Sequence, residues 1–338
     1  MKMVNLNQLK TSWTYAQTKK GIESPKISGA ANKMIQHQIK KLKGSSMNNS
    51  NIKSLIAILL STAVGAGVAF AGSQGSAKVF GLPIYLLAVI VIYLIQWVVF
   101  IFAFVQKSEK YYDLMGSLTY ISITTAATLL IPEIDQRSVL LLVLVTIWAT
   151  RLGTFLFTRV QKAGKDDRFD DIKVSFGRFL LTWTLQGLWV TFTSAAALTA
   201  ITSTNKQNLG WFALVGVIVW IFGYFIELLA DVQKSRFKAN PENEGKFIQT
   251  GLWAWSRHPN YFGEIMLWIG VAIIAFPVLK GWALVALISP VWVTLQLTMI
   301  SGVTMLEKKA DQRWGGREDY EAYKQNTPVL IPQPPSKS

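Results

Sequence analysis

Long apolar stretches recur along this chain between residues 55 and 306, and they constrain its fold more than any other feature. An α-helix needs about 20 consecutive, predominantly apolar residues to cross about 30 Å of hydrocarbon. Because lipid offers the backbone no hydrogen-bonding partners, spanning segments fold as helices or as closed barrels, and the length of these stretches favours helices. We therefore predict an all-α, multi-pass transmembrane helical bundle of about eight spans, namely 55–71, 82–105, 118–131, 139–157, 179–201, 211–229, 262–278 and 282–306.

The composition agrees with a membrane protein. Hydrophobic residues make up 51% of the 338 residues and charged residues 16%, whereas a soluble domain carries about 25% charged residues. The chain has no cysteine, which excludes disulfides and thiolate metal sites. Its two histidines, His37 and His258, are far apart in the sequence, so we predict no metal site.

The basic residues are distributed unevenly between the loops. Residues 1–54 carry ten Lys, and the segments 106–117, 158–178, 231–261 and 307–338 carry two, six, five and six Lys or Arg residues. The intervening loops hold only four. Cytoplasmic loops of membrane proteins are enriched in Lys and Arg. We therefore predict that both termini are cytoplasmic, and we attribute the net charge of +15 to topology and not to nucleic-acid binding.

Three regions follow from this pattern. Residues 1–50 are rich in Lys, Asn, Gln and Ser and lack an apolar core, so we expect a basic, disordered tail. A transit peptide, or a translation start at Met47, are the alternatives. Residues 51–306 form the bundle, with a core from 96 to 306, and residues 307–338 form a cytoplasmic cap. The membrane is expected to be a bacterial inner membrane, or the endoplasmic reticulum or another organelle membrane of a eukaryote.

Polar side chains inside the apolar spans are the first candidates for function, because such groups are costly in lipid. Asp113, next to Tyr112 at the start of a span, is a candidate for holding or protonating a substrate; a helix cap is the alternative. Arg151 lies within a span, and its guanidinium suits a phosphate. Gln186 lies in mid-span and contacts either a substrate or another helix.

The most regular pattern is a stripe of acids and bases. Glu227, Asp231, Lys234 and Lys238 follow one another at spacings of four, three and four residues, which places all of them on one helix face. A self-satisfied ladder of salt bridges is one interpretation. Because Glu227 lies near the membrane, where a carboxylate without a role is costly, we favour a cofactor-binding face. In this interpretation the acids bind hydroxyl or amide groups and the lysines bind phosphate.

A second dense motif is Arg-His-Pro-Asn-Tyr-Phe-Gly-Glu at residues 257–264. The proline disfavours helical backbone at His258, so the next span begins after that residue. An aromatic anchor at the membrane interface would explain Tyr261, but it does not explain Glu264. No dinucleotide-binding glycine motif or phosphate-binding loop occurs, so a nucleotide would bind without a Rossmann domain.

These motifs resemble the steroid 5-alpha-reductase C-terminal family, and within it the bacterial-type DUF1295 branch. The resemblance rests on Glu-Leu-Leu-Ala-Asp-Val-Gln-Lys at 227–234, Thr-Gly-Leu-Trp at 250–253, the 257–264 motif, and Tyr320, Tyr323 and Pro332 in the tail. It covers roughly residues 96–332. The superfamily includes sterol reductases, which use NADPH, and isoprenylcysteine carboxyl methyltransferases, which use S-adenosylmethionine. The resemblance thus implies a helical bundle with a cofactor between the C-terminal helices.

The resemblance also implies roles for particular residues. Positions that contact NADPH in the reductases are matched here by Asp231, Lys238, Asn260 and Glu264, and basic residues of the same pocket by Arg151 and Lys162. The full set that we predict to bind cofactor is Arg151, Lys162, Glu227, Asp231, Lys234, Lys238, Arg257, His258, Asn260, Tyr261 and Glu264.

Two departures from the steroid reductases concern the proton donor. A Gln-Glu pair of those enzymes is Gln96-Trp97 here, and their proton-donating Tyr is Trp148. The predicted catalytic residues are therefore Asp113, Tyr112, Tyr120 and Gln186.

The sequence thus predicts an NADPH-dependent reductase of a carbon–carbon double bond in a hydrophobic, steroid-, enone- or lipid-like substrate. A methyltransferase using S-adenosylmethionine, and a non-catalytic lipid-binding membrane protein, are the alternatives.

Overall fold

The computed structural model describes residues 29–164 and 169–335, and these residues are almost entirely helical. A two-residue antiparallel hairpin, β1 (Lys78–Val79) with β2 (Leu82–Pro83), is its only named sheet within the described ranges. Short 3-10 turns and a π-helical segment, Gln296–Ile300, connect the later helices. The helices are α1 (Gly29–Gly72), α2 (Ile84–Gln106), α3 (Tyr112–Leu130), α4 (Gln136–Ala163), α5 (Phe176–Thr193), α6 (Ala195–Thr202), α7 (Trp211–Ala239), α8 (Pro259–Ala275), α9 (Ile288–Leu295), α10 (Val303–Trp314) and α11 (Glu318–Asn326).

The helices confirm an integral, multi-pass membrane protein of the all-α class. Among the described residues six segments are long and apolar enough to span a membrane, and α5 with α6, bent by 57°, counts as a seventh if the pair is one span. The number is therefore six or seven and not eight. The remaining predicted span, 118–131, lies in α3, which is helical but carries several Ser and Thr residues that lower its hydropathy. The six segments are Asn51–Gly72, Ile84–Gln106, Gln136–Lys162, Trp211–Ala239, Pro259–Val278 and Gly281–Trp314.

The chain divides into two compact units, residues 1–53 and residues 54–338. Of the first unit, the structure describes helical residues from Gly29 onwards, and residues 1–28 of the predicted tail lie outside the described residues. The tail stays a prediction. The second unit contains the remaining helices.

Loops that the charge pattern assigns to the same side of the membrane contact one another within the second unit. At one end, which we call the basic end, Lys173 bonds Glu109 at 2.8 Å. At the opposite end the buried guanidinium of Arg137 donates to the carbonyls of Gln207 and Asn208 at 2.9 and 3.2 Å. These contacts agree with loops that alternate between two ends. That the basic end faces the cytoplasm stays a prediction.

Helices α7 and α8 pack closely, with backbone against backbone. A Cβ atom on Gly223 would lie 2.5 Å from the carbonyl oxygen of Gly263, and one on Gly263 would lie 2.5 Å from the amide nitrogen of Glu227. A second contact of the same kind joins Gly216 to Gly270, seven residues from the first on both helices. Small residues at such interfaces allow the backbones of membrane helices to approach closely. The contact thereby sets Glu227, in the C-terminal half of α7, against the start of α8.

Replacing Gly223 with Ala is expected to destabilise the protein, because the new Cβ meets backbone atoms that cannot move independently. Overpacking of this kind costs about 1–3 kcal/mol. The measurement is the midpoint of thermal unfolding in detergent, which should fall. The matched control is Gly67→Ala in α1, where a Cβ meets nothing within 4 Å. Equal midpoints for the two variants would contradict the close α7–α8 contact.

Candidate functional site

A buried ion cluster joins α4, α7 and α8 near the basic end. Arg151 of α4 bonds Asp231 through Nη1 at 2.9 Å and bonds Glu227 through Nη2. Asn260, at the start of α8, donates to the other Asp231 oxygen at 3.3 Å. The Arg151, Glu227 and Asp231 side chains are only 11%, 3% and 9% exposed. We call these four residues the ion cluster; all of them belong to the predicted cofactor-binding set.

The ion cluster is not fully satisfied by its own members. Arg151 Nε and Glu227 Oε2 are buried and make no hydrogen bond within the described chain. Buried polar atoms in native proteins nearly always have a partner, so an exception calls for an explanation. One donor and one acceptor of the ion cluster are thus without a partner among the described residues.

A large cavity of about 790 Å³ lies at the basic end, between the end of α7, the loop before α8, and α10 with α11. Four predicted cofactor-binding residues line it: Lys234, Lys238, Arg257 and His258. Sites for drug-sized ligands typically measure about 300–1,000 Å³, so the cavity has room for one.

Four cations that form no ion pair among the described residues line the large cavity. Lys234, Lys238, Lys309 and Arg313 line it, and none of them forms an ion pair in residues 29–164 and 169–335. Lys234 lies over the ring of Trp253 at 4.2 Å, a cation–π arrangement. Like charges at such positions repel one another, and an anion in the cavity would relieve the repulsion.

The last segment of the chain closes the large cavity. The backbone amide of Arg257 donates to the Pro328 carbonyl at 2.9 Å, and that of Gln333 donates to the Trp255 carbonyl at 2.9 Å. The Tyr323 hydroxyl donates to the carbonyl of Trp253 at 2.7 Å. The cap predicted for residues 307–338 therefore contributes to the cavity wall.

Glu307 of α10 orients two residues of the 257–264 motif. Its carboxylate bonds Arg257 Nη1 at 2.6 Å and His258 Nε2 at 2.8 Å. Burial lowers the pKa of His258, although the nearby Glu307 carboxylate opposes this shift. The neutral imidazole is therefore the stable form near pH 7. Sequence reasoning did not select Glu307. The feature that could have identified it is that Glu307 is the first charged residue after the apolar run 282–306.

A second, small pocket of about 70 Å³ gathers all four predicted catalytic residues from two helices. Tyr112, Asp113 and Tyr120 reach it from α3, and Gln186 reaches it from α5. Glu264 reaches it from α8 and therefore lies with the predicted catalytic residues, not in the wall of the large cavity. Apolar side chains complete the pocket: Trp148, Leu152, Leu156, Trp189 and Val190.

Some of the polar groups around the small pocket form hydrogen bonds or ion pairs. The Tyr112 hydroxyl donates to the Thr182 carbonyl at 3.1 Å, and Gln186 Nε2 donates to the Tyr112 carbonyl at 2.8 Å. Asp113 lies 3.7 Å from Arg159 Nη2. By contrast, Gln186 Oε1, the Tyr120 hydroxyl and Trp148 Nε1 are buried without a hydrogen bond within the described ranges.

The four ion-cluster residues line neither space, and two further predicted cofactor-binding residues lie apart from both spaces and from the ion cluster. Lys162 is exposed near the end of α4, and the Tyr261 ring stacks on His258 with the ring centres 5.5 Å apart. Neither is among the described residues that line the large cavity or the small pocket. The large cavity instead has residues that sequence reasoning did not select, all of them from the loop before α8 or from the cap: Phe247, Lys309, Arg313, Trp314, Tyr320 and Tyr323.

Comparison with known proteins agrees with the resemblance drawn from the motifs. The family model described as "Protein of unknown function (DUF1295)" matches residues 99–327. A steroid 5-alpha-reductase of Gossypium hirsutum is 29% identical over 103 residues, which are 30% of this chain and 38% of that protein. A delta(14)-sterol reductase of Arabidopsis thaliana is 29% identical over 125 residues, 33% of this chain and 31% of that protein.

A third relative, an uncharacterised protein of Schizosaccharomyces pombe, is 24% identical over 208 residues, 52% of this chain and 58% of that protein. The chain thus spans less than two thirds of the length of each of these relatives. No solved structure matches it.

Replacing Arg151 with Met is expected to destabilise the protein strongly, because Glu227 and Asp231 would then lie buried without their cation. Removing one partner of a buried ion pair costs about 3–5 kcal/mol. Thermal unfolding in detergent measures the effect. Arg178→Met, at an exposed position of α5, is the control and should leave the midpoint unchanged. An Arg151→Met midpoint equal to that of the control would contradict the structural role of the ion cluster.

Proposed function

The chain belongs to the DUF1295 family, and we propose that it is a membrane-embedded reductase that uses NADPH to reduce a carbon–carbon double bond in a hydrophobic substrate. Two of its relatives are named as reductases, one of a steroid and one of a sterol. The observation that carries the proposal is the large cavity with its unpaired cations beside a small pocket lined by acids and apolar groups.

The residues of the large cavity fit a phosphate-bearing dinucleotide. NADPH carries a pyrophosphate and a further phosphate on its adenosine ribose, and lysine and arginine are the usual phosphate-binding side chains. Lys234, Lys238, Arg257, Lys309 and Arg313 would hold these phosphates. When bound, the cofactor supplies a hydride.

Aromatic side chains give the same cavity a surface for a nucleotide base. Trp253, Phe247, Trp314 and Tyr323 are among its lining. The Phe247 ring centre lies 5.4 Å from that of Tyr323 and 5.7 Å from that of Trp314. Planar bases stack on such rings. Base and phosphates would thus both be bound at the basic end.

The ion cluster supports binding of the nicotinamide end. A carboxamide offers both donors and an acceptor, and the cluster leaves Arg151 Nε and Glu227 Oε2 without partners. Asn260, which donates to Asp231, adds a second amide at this place. In this proposal the cluster lies between the phosphates in the large cavity and the substrate in the small pocket.

The small pocket suits the reacting end of a substrate. Its volume of about 70 Å³ is far below that of a site enclosing a whole drug-sized molecule. The pocket would therefore enclose only the group that reacts, while the rest of a hydrophobic molecule contacts apolar residues nearby. Leu152, Leu156 and Trp189 provide the apolar side, and Gln186, Tyr120 and Asp113 provide the polar side.

The methyltransferase alternative is less well supported by the same cavity. S-adenosylmethionine carries a sulfonium cation and no phosphate, so four unpaired cations would repel it and not hold it. A non-catalytic lipid-binding protein is disfavoured because the buried charges of Arg151, Glu227 and Asp231 are costly in a membrane unless they serve a ligand or a reaction.

Titration of the detergent-purified protein with NADPH, NADH and S-adenosylmethionine tests the proposal. A ligand that binds the native state raises the thermal midpoint. We expect NADPH to stabilise the protein more than NADH, because the additional phosphate meets the unpaired cations. Stabilisation by S-adenosylmethionine alone would favour a methyltransferase, and stabilisation by none of the three would contradict the cofactor site.

Lys238→Gln and Arg313→Gln should each weaken NADPH binding by about 10- to 100-fold, since a hydrogen bond to a charged group contributes about 1.5–3 kcal/mol. The matched control is Lys308→Gln, because Lys308 is exposed next to Lys309 and is not part of the cavity lining. Fluorescence titration of NADPH measures the affinity. Unchanged affinity in both variants would show that the phosphates bind elsewhere.

A further inference from the structure

One carboxyl group near the ion cluster has no hydrogen-bond or ion-pair partner in the part of the chain that the structure describes. Glu264 is 8% exposed and lines the small pocket from α8. Within residues 29–164 and 169–335 it forms no ion pair and accepts no hydrogen bond. An ionised carboxylate held at membrane depth without a partner is strongly disfavoured. Its environment therefore favours the protonated form.

The charges around Glu264 also favour one bound proton. Glu227 and Asp231 of α7 are close enough to interact with it, and so is Arg151 of α4. Lys234, one turn beyond Asp231, adds a second cation. Three carboxylates thus lie beside two cations, and a single proton makes the group neutral. From α3, the groups that face the same pocket are Tyr112, Asp113 and Tyr120.

The hydrogen-bond donors decide which carboxyl holds that proton. Arg151 donates to both Glu227 and Asp231, and Asn260 donates to Asp231 as well. Donors to a carboxylate stabilise its ionised form. Glu264 receives no such bond from the described residues. The pattern of donors therefore favours Glu264 as the carboxyl group that holds the proton.

We propose that Glu264 is protonated in the resting protein and is the catalytic acid that protonates the substrate. The inference rests on the proposed reductase function. It assigns to Glu264 a role on the substrate side, whereas the resemblance implied contact with the cofactor. The other candidates are less suited. Asp113 has Arg159 beside it, the Tyr112 hydroxyl donates to Thr182, and the phenol of Tyr120 is a much weaker acid than a carboxylic acid.

The reaction balances with this assignment. Reduction of the double bond breaks its π bond and forms one C–H bond on each carbon. One carbon receives the hydride, with both bonding electrons, from the reduced nicotinamide. The other receives the proton as the Glu264 O–H bond breaks, which leaves a carboxylate. Water then returns a proton to Glu264, and the cofactor leaves in its oxidised form.

Infrared spectroscopy of the cofactor-free protein tests the protonation directly. A protonated carboxylic acid has a C=O stretching band that is separate from carboxylate bands and shifts when water is exchanged for D2O. We expect one such band that persists at neutral pH, disappears in Glu264→Gln and remains in Glu242→Gln. Glu242 is an exposed residue outside the lining of the large cavity and serves as the control. A band that persists in Glu264→Gln would overturn the proposal.

Turnover tests the catalytic role separately. Glu264→Gln should bind NADPH with wild-type affinity but reduce substrate about 100- to 10,000-fold more slowly, the range by which general acids contribute. Glu264→Asp, which keeps an acid, should retain part of the activity. Wild-type turnover in Glu264→Gln, or loss of NADPH binding in that variant alone, would overturn the assignment.

The two proposals fail in different ways. If the wild-type protein neither binds NADPH nor reduces a double bond, the proposed function is wrong, and the infrared band still reports whether Glu264 is protonated. Because Gln closely resembles a protonated Glu in shape and is neutral, Glu264→Gln should also fold with a wild-type thermal midpoint. A large drop in that midpoint would show that Glu264 is ionised and stabilises the ion cluster as an anion.

Discussion

The contact between the backbones of α7 and α8 is the constraint on which the candidate site depends. Glycines at equivalent positions, Gly223 on one helix and Gly263 on the other, remove the side chains that would hold the helices apart. The amide of Glu227 then lies beside Gly263, and Asn260 and Glu264 are within one turn of that point. Without this approach Asn260 could not reach Asp231 at 3.3 Å. A contact between glycines, which take no part in the proposed reaction, therefore positions the charged and polar side chains of the candidate site.

Buried charge is the second organising feature. Isolated ions are costly in a membrane, so each charged group needs a partner, a proton or a ligand. Arg151 has partners within the fold, Glu264 is proposed to have a proton, and Lys238 and Arg313 are proposed to have a bound phosphate. In the proposed reductase the cofactor would enter at the basic end, and the double bond would lie in the small pocket.

The sequence predicted local features of this site better than its long-range contacts. The stripe from Glu227 to Lys238 could be placed on one helix face because helical periodicity is local. That Arg151 would bond two members of the stripe required knowing which helices are neighbours. The same limit explains Glu307, Lys309 and Arg313, which lie beyond the last apolar run and reach the cavity only because the chain folds back. The span count was too high because α3, with its Ser and Thr, is helical without being strongly apolar.

The hydrogen bonds between the C-terminal cap and the loop before α8 affect the order in which the protein matures. The loop carries Trp255 and Arg257, and their backbone partners, Gln333 and Pro328, are synthesised more than 70 residues later. By then all of the membrane helices of the described chain have been synthesised. Most of the bundle can therefore insert before the large cavity has a complete wall. A newly inserted chain would have to wait for its own C-terminal segment before it could retain the cofactor that we propose.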